Sequence, residues 1–270
     1  MGKLYVVGTP IGNLEDITLR ALRIMGEVSL IAAEDTRRAS RLTRRYEIDT
    51  PTTSYFEGNK LTKLDAILGA LSAGDVALVS EAGMPGLSDP GYELIQTAID
   101  LGYDVVPIPG PTAPVTALVV SGLPTDAFHF LGYLPRRESR RRRVLKRVAR
   151  EQCTIVTFET PHRLLESLAD VEAVLGDRPL ALCREMTKVH EEIWRGTVSE
   201  ARDTFANREP RGEFTLVIGG VEEDQRRWDE EQVRAALDDL VRKGMPRPDA
   251  AKRVAELSGW GRSAVYRLGL

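Results

Sequence analysis

Three polar clusters hold the side chains able to move a proton or grip an anion: Glu34-Asp35-Thr36-Arg37, Glu57-Gly58-Asn59, and the run Arg184-Glu185-Met186-Thr187-Lys188-Val189-His190-Glu191-Glu192. Clusters that mix acids with bases or amides suit a pocket with a general base and anion-holding groups. Taken singly, each also fits surface ion pairs of small energetic weight. Three Gly/Pro-rich segments accompany them: residues 8–14 (Gly8-Thr9-Pro10-Ile11-Gly12-Asn13-Leu14), 81–91 and 109–112. Glycine lets backbone approach a ligand closely, and proline fixes a loop without needing a donor. None of the three matches G-x-G-x-x-G or the P-loop pattern, which argues against hydride transfer and nucleotide hydrolysis. No G-x-S-x-G elbow is present for acyl transfer. His129, His162 and His190 lie far apart, outside metal-ligand spacings, and His129 falls in an apolar stretch that reads as core; no metal is expected.

Arginine supplies the third kind of chemistry. Residues 136–150 hold nine basic side chains (Arg136, Arg137, Arg140, Arg141, Arg142, Arg143, Lys146, Arg147, Arg150) and one acid, Glu138, a local +8 in a chain of net −3. A second run places Arg37, Arg38, Arg41, Arg44 and Arg45 with no acid between Thr36 and Tyr46. On a helix, Arg37, Arg41 and Arg44 or Arg45 share one face, where like charges repel and call for compensation. Such runs are commonly solvated helix faces. Their concentration in an otherwise acidic chain also suits the steering of a polyanion, and guanidinium groups match phosphate geometry. No aromatic residue interleaves with 136–150, so stacking of bases on that run is not indicated.

The elements that must position these groups follow from periodicity. Residues 4–7 read as a strand ending in the first Gly/Pro loop, and Leu19, Leu22 and Met25 then recur at helical spacing. Strand 30–33 leads into the Arg-rich helix, strand 76–80 ends in the 81–91 loop, and helix 92–101 and strand 105–108 lead to Pro109-Gly110-Pro111. This is βαβ order and predicts a mainly parallel sheet. Its loops then lie beyond strand carboxyl ends, where open α/β sheets bind ligands. Closely spaced strands at 128–133, 154–158, 180–184, 193–197 and 214–218 predict a mixed second domain. Gly219-Gly220 and Glu222-Glu223-Asp224 read as a linker to a helical tail, with a stripe at Val233, Leu237, Leu240 and Val241 and shorter helices from about 249 and 263. The tail fits a plain three-helix packing unit better than a helix-turn-helix DNA reader. The expected domains are 1–113, 114–220 and 221–270.

Composition bounds the class. With 270 residues, 42% hydrophobic and 29% charged, the chain reads as a soluble globular protein rather than a collagen-like, disordered or membrane-embedded one. The longest apolar stretch, near 113–120, is too short to span a bilayer. The start, Met1-Gly2-Lys3-Leu4-Tyr5, shows no secretory leader, and Val6 spoils the myristoylation pattern. Cys153 and Cys183 make neither a disulfide framework nor a structural zinc site alone, so a reduced, cytoplasmic protein is expected.

Six motifs in fixed order resemble one family, the ribosomal small-subunit (16S) RNA cytidine 2′-O-methyltransferases of the tetrapyrrole-methylase superfamily. They are residues 7–14, Ala33-Glu34-Asp35-Thr36-Arg37, Ser80-Glu81-Ala82-Gly83-Met84-Pro85 with Ser88-Asp89-Pro90-Gly91, Pro107-Ile108-Pro109-Gly110-Pro111, Glu159-Thr160-Pro161-His162-Arg163, and Arg184-Glu185-Met186-Thr187-Lys188. Glu213-Phe214-Thr215-Leu216-Val217 closes the second domain, and the resemblance covers about residues 3–220. Glu81 and Met84 stand where this family usually has Asp and Thr, and Gly58 interrupts a cluster that is often His-rich. The resemblance implies two α/β domains of tetrapyrrole-methylase type with a cofactor cleft between them, plus a small C-terminal helical unit. It implies S-adenosyl-L-methionine as methyl donor, held by Pro10, Ala82, Gly83, Met84, Thr112, Ala113, Phe158, Met186 and Thr215. It also implies a homodimer acting on small-subunit ribosomal RNA or the assembled subunit, with no membrane partner. A ribose 2′-hydroxyl needs a base. Asp35 or Glu185 is expected in that role, with Arg37, Asn59 and Lys188 holding the neighbouring phosphate or ribose. Arg37, Arg41, Arg44, Arg136, Arg137, Arg140, Arg141 and Arg142 are expected to grip RNA backbone. The alternatives are a porphyrinoid C-methyltransferase, sharing the cleft, and a nucleic-acid-binding regulator using the tail.

Overall fold

A fully apolar run such as Val76-Ala77-Leu78-Val79 can sit only where helices cover both faces of a sheet. In the computed structural model, which describes residues 2–221 and 228–268, this run is buried throughout and lies in the middle of a sheet. The Glu222-Glu223-Asp224 part of the expected linker lies outside the described residues. The chain divides into two units, Met1–Val221 and Glu222–Leu270.

The first unit begins with β1 (Lys3–Val7), α1 (Leu19–Glu27), β2 (Leu30–Ala33), α2 (Thr36–Arg45), β3 (Thr52–Ser54), α3 (Lys60–Ala73), β4 (Val76–Val79), α4 (Tyr92–Asp100) and β5 (Asp104–Ile108). These strands pair in the order β3-β2-β4-β1-β5, all parallel, as the βαβ order predicts. Alternate strand residues feed two cores. Val7, Ile31 and Ile108 pack with Ile24, Met25 and Leu42 on one face. Leu4, Leu78 and Tyr55 pack with Ile67, Leu71 and Leu94 on the other. β1 and β4 are neighbours, yet the connection from β1 runs past β4 to β2, and that from β4 runs past β1 to β5. Their carboxyl ends therefore form a topological switch point, where a crevice opens.

The unit continues with α5 (Ala113–Ser121), β6 (Phe128–Tyr133), α6 (Glu138–Arg147), β7 (Thr154–Glu159), α7 (Leu164–Leu175), β8 (Pro179–Arg184), β9 (Glu192–Thr197), α8 (Val198–Ala206) and β10 (Phe214–Ile218). The second sheet has the order β6-β7-β10-β8-β9, with β6 parallel to β7 and the other pairs antiparallel. Central β10 is buried at every residue. One face packs Leu216 and Phe214 against Leu145, Leu168 and Phe205, from α6, α7 and α8. The other packs Val156, Ala181 and Val217 against Ala117 and Leu118 of α5. Gly122 caps α5 with a left-handed backbone (φ 81°).

In the second unit α9 (Glu230–Arg242), α10 (Arg247–Ser258) and α11 (Arg262–Arg267) enclose Val233, Leu237, Ala250, Ala251, Val254 and Val265. Trp260 Nε1 donates to the Trp228 carbonyl at 2.6 Å, fixing the α10–α11 turn to the start of the unit. Among the described residues, no helix is long and apolar enough to cross a membrane.

Candidate active site

The three Gly/Pro segments meet at the carboxyl ends of β1, β4 and β5. Thr9 and Gly83 exchange backbone hydrogen bonds (2.9 and 3.1 Å), and the Gly8 N–H donates to the Ile108 carbonyl at 3.0 Å. A Cβ at Gly8 would stand 2.7 Å from Met84 Sδ and 2.8 Å from Gly110 Cα, closer than real Cβ atoms come. The first loop also meets the second sheet. Gly12 lies where a Cβ would be 2.5 Å from Thr187 Oγ1, and the Asn13 N–H donates to that oxygen at 3.0 Å. Glu185 and Thr187 adopt positive φ (47° and 65°) to make this turn. Non-glycine residues held there, a β-branched one above all, mark backbone strain of the kind found at functional sites.

A cavity with about 830 Å³ of open space, its solvent-facing part included, lies at this meeting point. Its wall includes Ile11 of the first loop, Ala82, Gly83 and Met84 of the second, Thr112 of the third, Ala113 at the start of the helix that follows, and Phe158 and Thr215 from the second sheet. Pro10 lines an adjoining cavity of about 1000 Å³, which shares Ile11, Arg38, Glu81 and Ala82 with the first. Met186 is buried at a smaller hollow beside Ile11, Glu185 and Lys188. Seven of the nine residues expected at a donor thus share one cavity wall, with Pro10 and Met186 at neighbouring hollows. Phe158 is held edge-on to Phe130 (5.1 Å between centroids) and tilted to Tyr133 (5.3 Å), so that wall is a fixed aromatic surface.

The carboxylates differ sharply in their commitments. Asp35 caps α2, accepting from the backbone N–H groups of Arg37 (2.8 Å) and Arg38 (3.4 Å), and pairs with the Arg37 guanidinium (3.0 Å). The Arg37 side-chain hydrogen bond, then these N–H groups, hold its carboxyl down to about 2. Glu185 Oε1 accepts from Lys188 Nζ and from the Glu213 N–H, both at 2.9 Å. Burial pushes Glu185 up, but those two hydrogen bonds outweigh it and leave it below its ordinary value. Lys188, pulled down by burial, is raised on balance by Glu185 and Glu213. Glu81 pairs with Arg38 at 2.5 Å, while its N–H donates to Glu34 Oε2 at 3.0 Å. Burial, and then the Glu81 and Asp35 charges, raise Glu34 against that hydrogen bond. Asp89, half-buried in the cavity wall, is pushed up to about 7, first by burial and next by the Glu34 carboxylate.

The arginines separate into groups that sequence does not distinguish. Arg41 lines the second cavity, and Arg38, which the expectations passed over, lines both. Arg37 is 90% exposed and turns back onto Asp35, and Arg44 is exposed further along α2. Arg136, Arg137 and Arg140 are exposed at the start of α6, which follows Tyr133 of the cavity wall after four intervening residues. Arg141 corrects the expectation of an RNA contact. It is 2% exposed, its Nε donates to Asp170 at 2.6 Å, and it reaches the Arg136 carbonyl at 3.2 Å. A guanidinium enclosed in this way serves α6–α7 packing. Arg142 also pairs with Asp170 (2.6 Å) and with Glu138 (2.9 Å), but stays half-exposed. Asn59 stands outside the cavity walls, with Oδ1 on the Phe56 N–H (2.8 Å) and Nδ2 on Ser54 Oγ (3.0 Å).

His129 also departs from expectation: β6 is an edge strand, and this side chain is exposed rather than core. Pairing of β6 with β7 brings ligand atoms of His129, Glu151 and Cys153 within 4.8 Å of one another, a grouping that spacing could not reveal; none of the three lines the cavities described.

A parallel sheet whose switch point faces a mixed sheet across a loop-lined crevice defines an α/β enzyme-like protein with its ligand site at the junction of the two sheets. The family model described as Tetrapyrrole (Corrin/Porphyrin) Methylases matches residues 3–202. The chain belongs to this methylase family. It is 45% identical over 273 residues to the Synechocystis sp. protein named Ribosomal RNA small subunit methyltransferase I, covering 100% of this chain and 98% of that one. A Thermotoga maritima protein of the same name is 50% identical over 223 residues, covering 82% of this chain and 100% of that one. Two solved structures share the fold. The methyltransferase CobJ has a TM-score of 0.62 at 17% identity, with 82% of this chain and 95% of that one covered. The Thermus thermophilus uroporphyrin-III C-methyl transferase complexed with S-adenyl homocysteine has 0.57 at 20%, with 81% and 97% covered.

Proposed function

We propose that this chain is an S-adenosylmethionine-dependent methyltransferase that 2′-O-methylates a cytidine of 16S ribosomal RNA. The observation that carries the reading is the junction of two kinds of surface. Arg38 and Arg41 stand in the walls of the same adjoining cavities that Pro10, Ala82, Gly83, Met84 and Thr112 line. The names of relatives at 45% and 50% identity support it.

The cavity fits such a donor on its own terms. Gly83, with a positive φ of 84°, puts bare backbone in the cavity wall, and Ile11, Met84 and Phe158 offer apolar contact. Ala82, Gly83 and Met84 would hold its methionine part, Thr112 and Ala113 a further wall, and Pro10, Phe158, Met186 and Thr215 the remainder. When bound, S-adenosylmethionine supplies an already activated methyl group. The protein's task is then alignment and removal of one proton. In this reading Lys188, held by Glu185 and Glu213 in the wall of the adjoining cavity, holds ribose or phosphate. Arg37, Arg41, Arg44, Arg136, Arg137 and Arg140, with Arg142 in part, offer an exposed path for the RNA backbone, while Asn59 shapes the β3–α3 turn. The reading places the protein in the cytoplasm, as a homodimer of three-part chains with boundaries near 113 and 220.

The test is incubation with labelled donor and either small ribosomal subunits or a uroporphyrinoid, with the product nucleoside identified chromatographically. Labelled 2′-O-methylcytidine is the expected product. Label on the porphyrinoid alone would transfer the assignment to C-methylation. Tight duplex-DNA binding without methyl transfer would favour a regulator.

A further inference from the structure

Methyl transfer to a ribose hydroxyl needs a group to take the proton, and the inference drawn here rests on that reading. The two carboxylates expected in this role are already engaged. Asp35 is bound to its own helix and to Arg37, and Glu185 to Lys188 and the Glu213 N–H. Glu81 faces Arg38, and Glu213 faces Lys188. Of the three carboxyls in the wall of the cavity that Met84 and Phe158 line, Glu81, Asp89 and Glu213, Asp89 is the one with neither an ion pair nor a backbone N–H upon it.

Its position is built. The segment after β4 carries positive φ at Ser88 (67°) and Gly91 (143°), which turns Asp89 into the wall. The neighbours that act on it come from three elements: Ser80 and Glu81 from the end of β4, Glu34 from the end of β2, and Tyr133 from the last position of β6. Arg38, from α2, compensates Glu81. We propose that Asp89 is the catalytic residue that accepts the 2′-hydroxyl proton. As the ribose oxygen–carbon bond forms, the carbon–sulfur bond of the donor breaks with its electron pair left on sulfur. The O–H proton passes to the Asp89 carboxylate, to be returned to water through the cavity mouth. Burial and the Glu34 charge, opposed by the Ser80 side chain, bring its proton affinity near neutrality, where a base is most effective at working pH.

Three measurements on the full chain test this. The wild-type rate with small subunits should rise with pH to an inflection near 7. Asp89→Asn should remove the inflection and lower kcat about 10²–10⁴-fold. The same variant should hold S-adenosylhomocysteine within about tenfold of wild type, since proton uptake is no part of that binding. Carbon-13 NMR should follow the wild-type Asp89 carboxyl titrating near 7 rather than near its ordinary 3.8. Linkage gives a further sign: the stability tied to Asp89 is fully present below 3.8 and lost as pH passes 7. D89N should therefore melt above wild type at pH 8 and match it near pH 3.5. An unchanged pH profile in D89N, a carboxyl titrating near 4, or a larger loss of homocysteine-cofactor affinity each overturns the Asp89 assignment alone. A wild-type enzyme that methylates no small-subunit RNA overturns the functional reading beneath it.

Discussion

Gly8 shows how little room the loop junction leaves, since an added methyl would collide with Met84 Sδ and with Gly110 backbone. Gly8→Ala should destabilise the fold by about 1–3 kcal/mol, the usual cost of overpacking, and weaken donor binding more than RNA binding. Urea unfolding and donor titration check the two effects; unchanged donor affinity would remove the loop junction from the site. At this scale the sequence was legible where the residue type alone carried the information. Gly8 and Gly83 stand just past strand ends, and seven of the nine residues expected at the donor line one cavity. Asp89 was not legible as a base. Its proton affinity is set by burial and by Glu34, 55 positions earlier and brought near by the β2–β4 pairing. Asp35 and Asp89 are both carboxyls in quoted motifs, yet one is held near 2 and the other raised to about 7, because the Arg37 guanidinium and then the N–H groups of its helix bind one, whereas burial and then the Glu34 charge act on the other.

Elements decide what the arginine runs do. α6 presents Arg140 to water and turns Arg141 inward onto Asp170 of α7, a separation that no count of charges could make. Arg141→Ala should cost about 1–3 kcal/mol, because it removes the enclosed one of the two guanidinium partners of buried Asp170 and leaves Arg142. Arg140→Ala should change stability by less than about 0.5 kcal/mol, yet weaken RNA binding. Thermal denaturation of the two variants side by side tests this; equal melting temperatures would contradict the burial argument. α2 is likewise divided, with Arg38 and Arg41 on the cavities and Arg37 folded back to its cap. Strand positions in the second sheet were readable from apolar runs, but strand order was not. For that reason the apolar stretch around His129 reads as core although β6 lies at an edge.

For the molecule as a whole, the parallel sheet followed by a mixed one was foreseeable from the spacing of strands and helices, whereas the closure of one crevice by both sheets depends on contacts such as Asn13 to Thr187, 174 positions apart. Charge is organised on the same scale. A chain of net −3 concentrates +8 within residues 136–150, close in sequence to Tyr133 of the cavity wall. Replacing Arg136, Arg137 and Arg140 with alanine should flatten the dependence of log Kd for RNA on log salt concentration by about 0.7–0.9 per lost phosphate contact, with donor affinity unchanged. Equal slopes before and after would show that these side chains do not meet phosphate. The Glu222–Leu270 unit has its own core, and the Thermotoga maritima relative is matched along its whole length by 82% of this chain. The most direct measurement is a crystal structure of this chain with S-adenosylhomocysteine and a cytidine-containing RNA fragment. The donor product should lie against Gly83, Met84, Thr112 and Phe158, with a ribose hydroxyl between it and Asp89 and phosphates toward Arg38 and Arg41. Donor density away from this crevice, or RNA on a face remote from those arginines, would contradict the account.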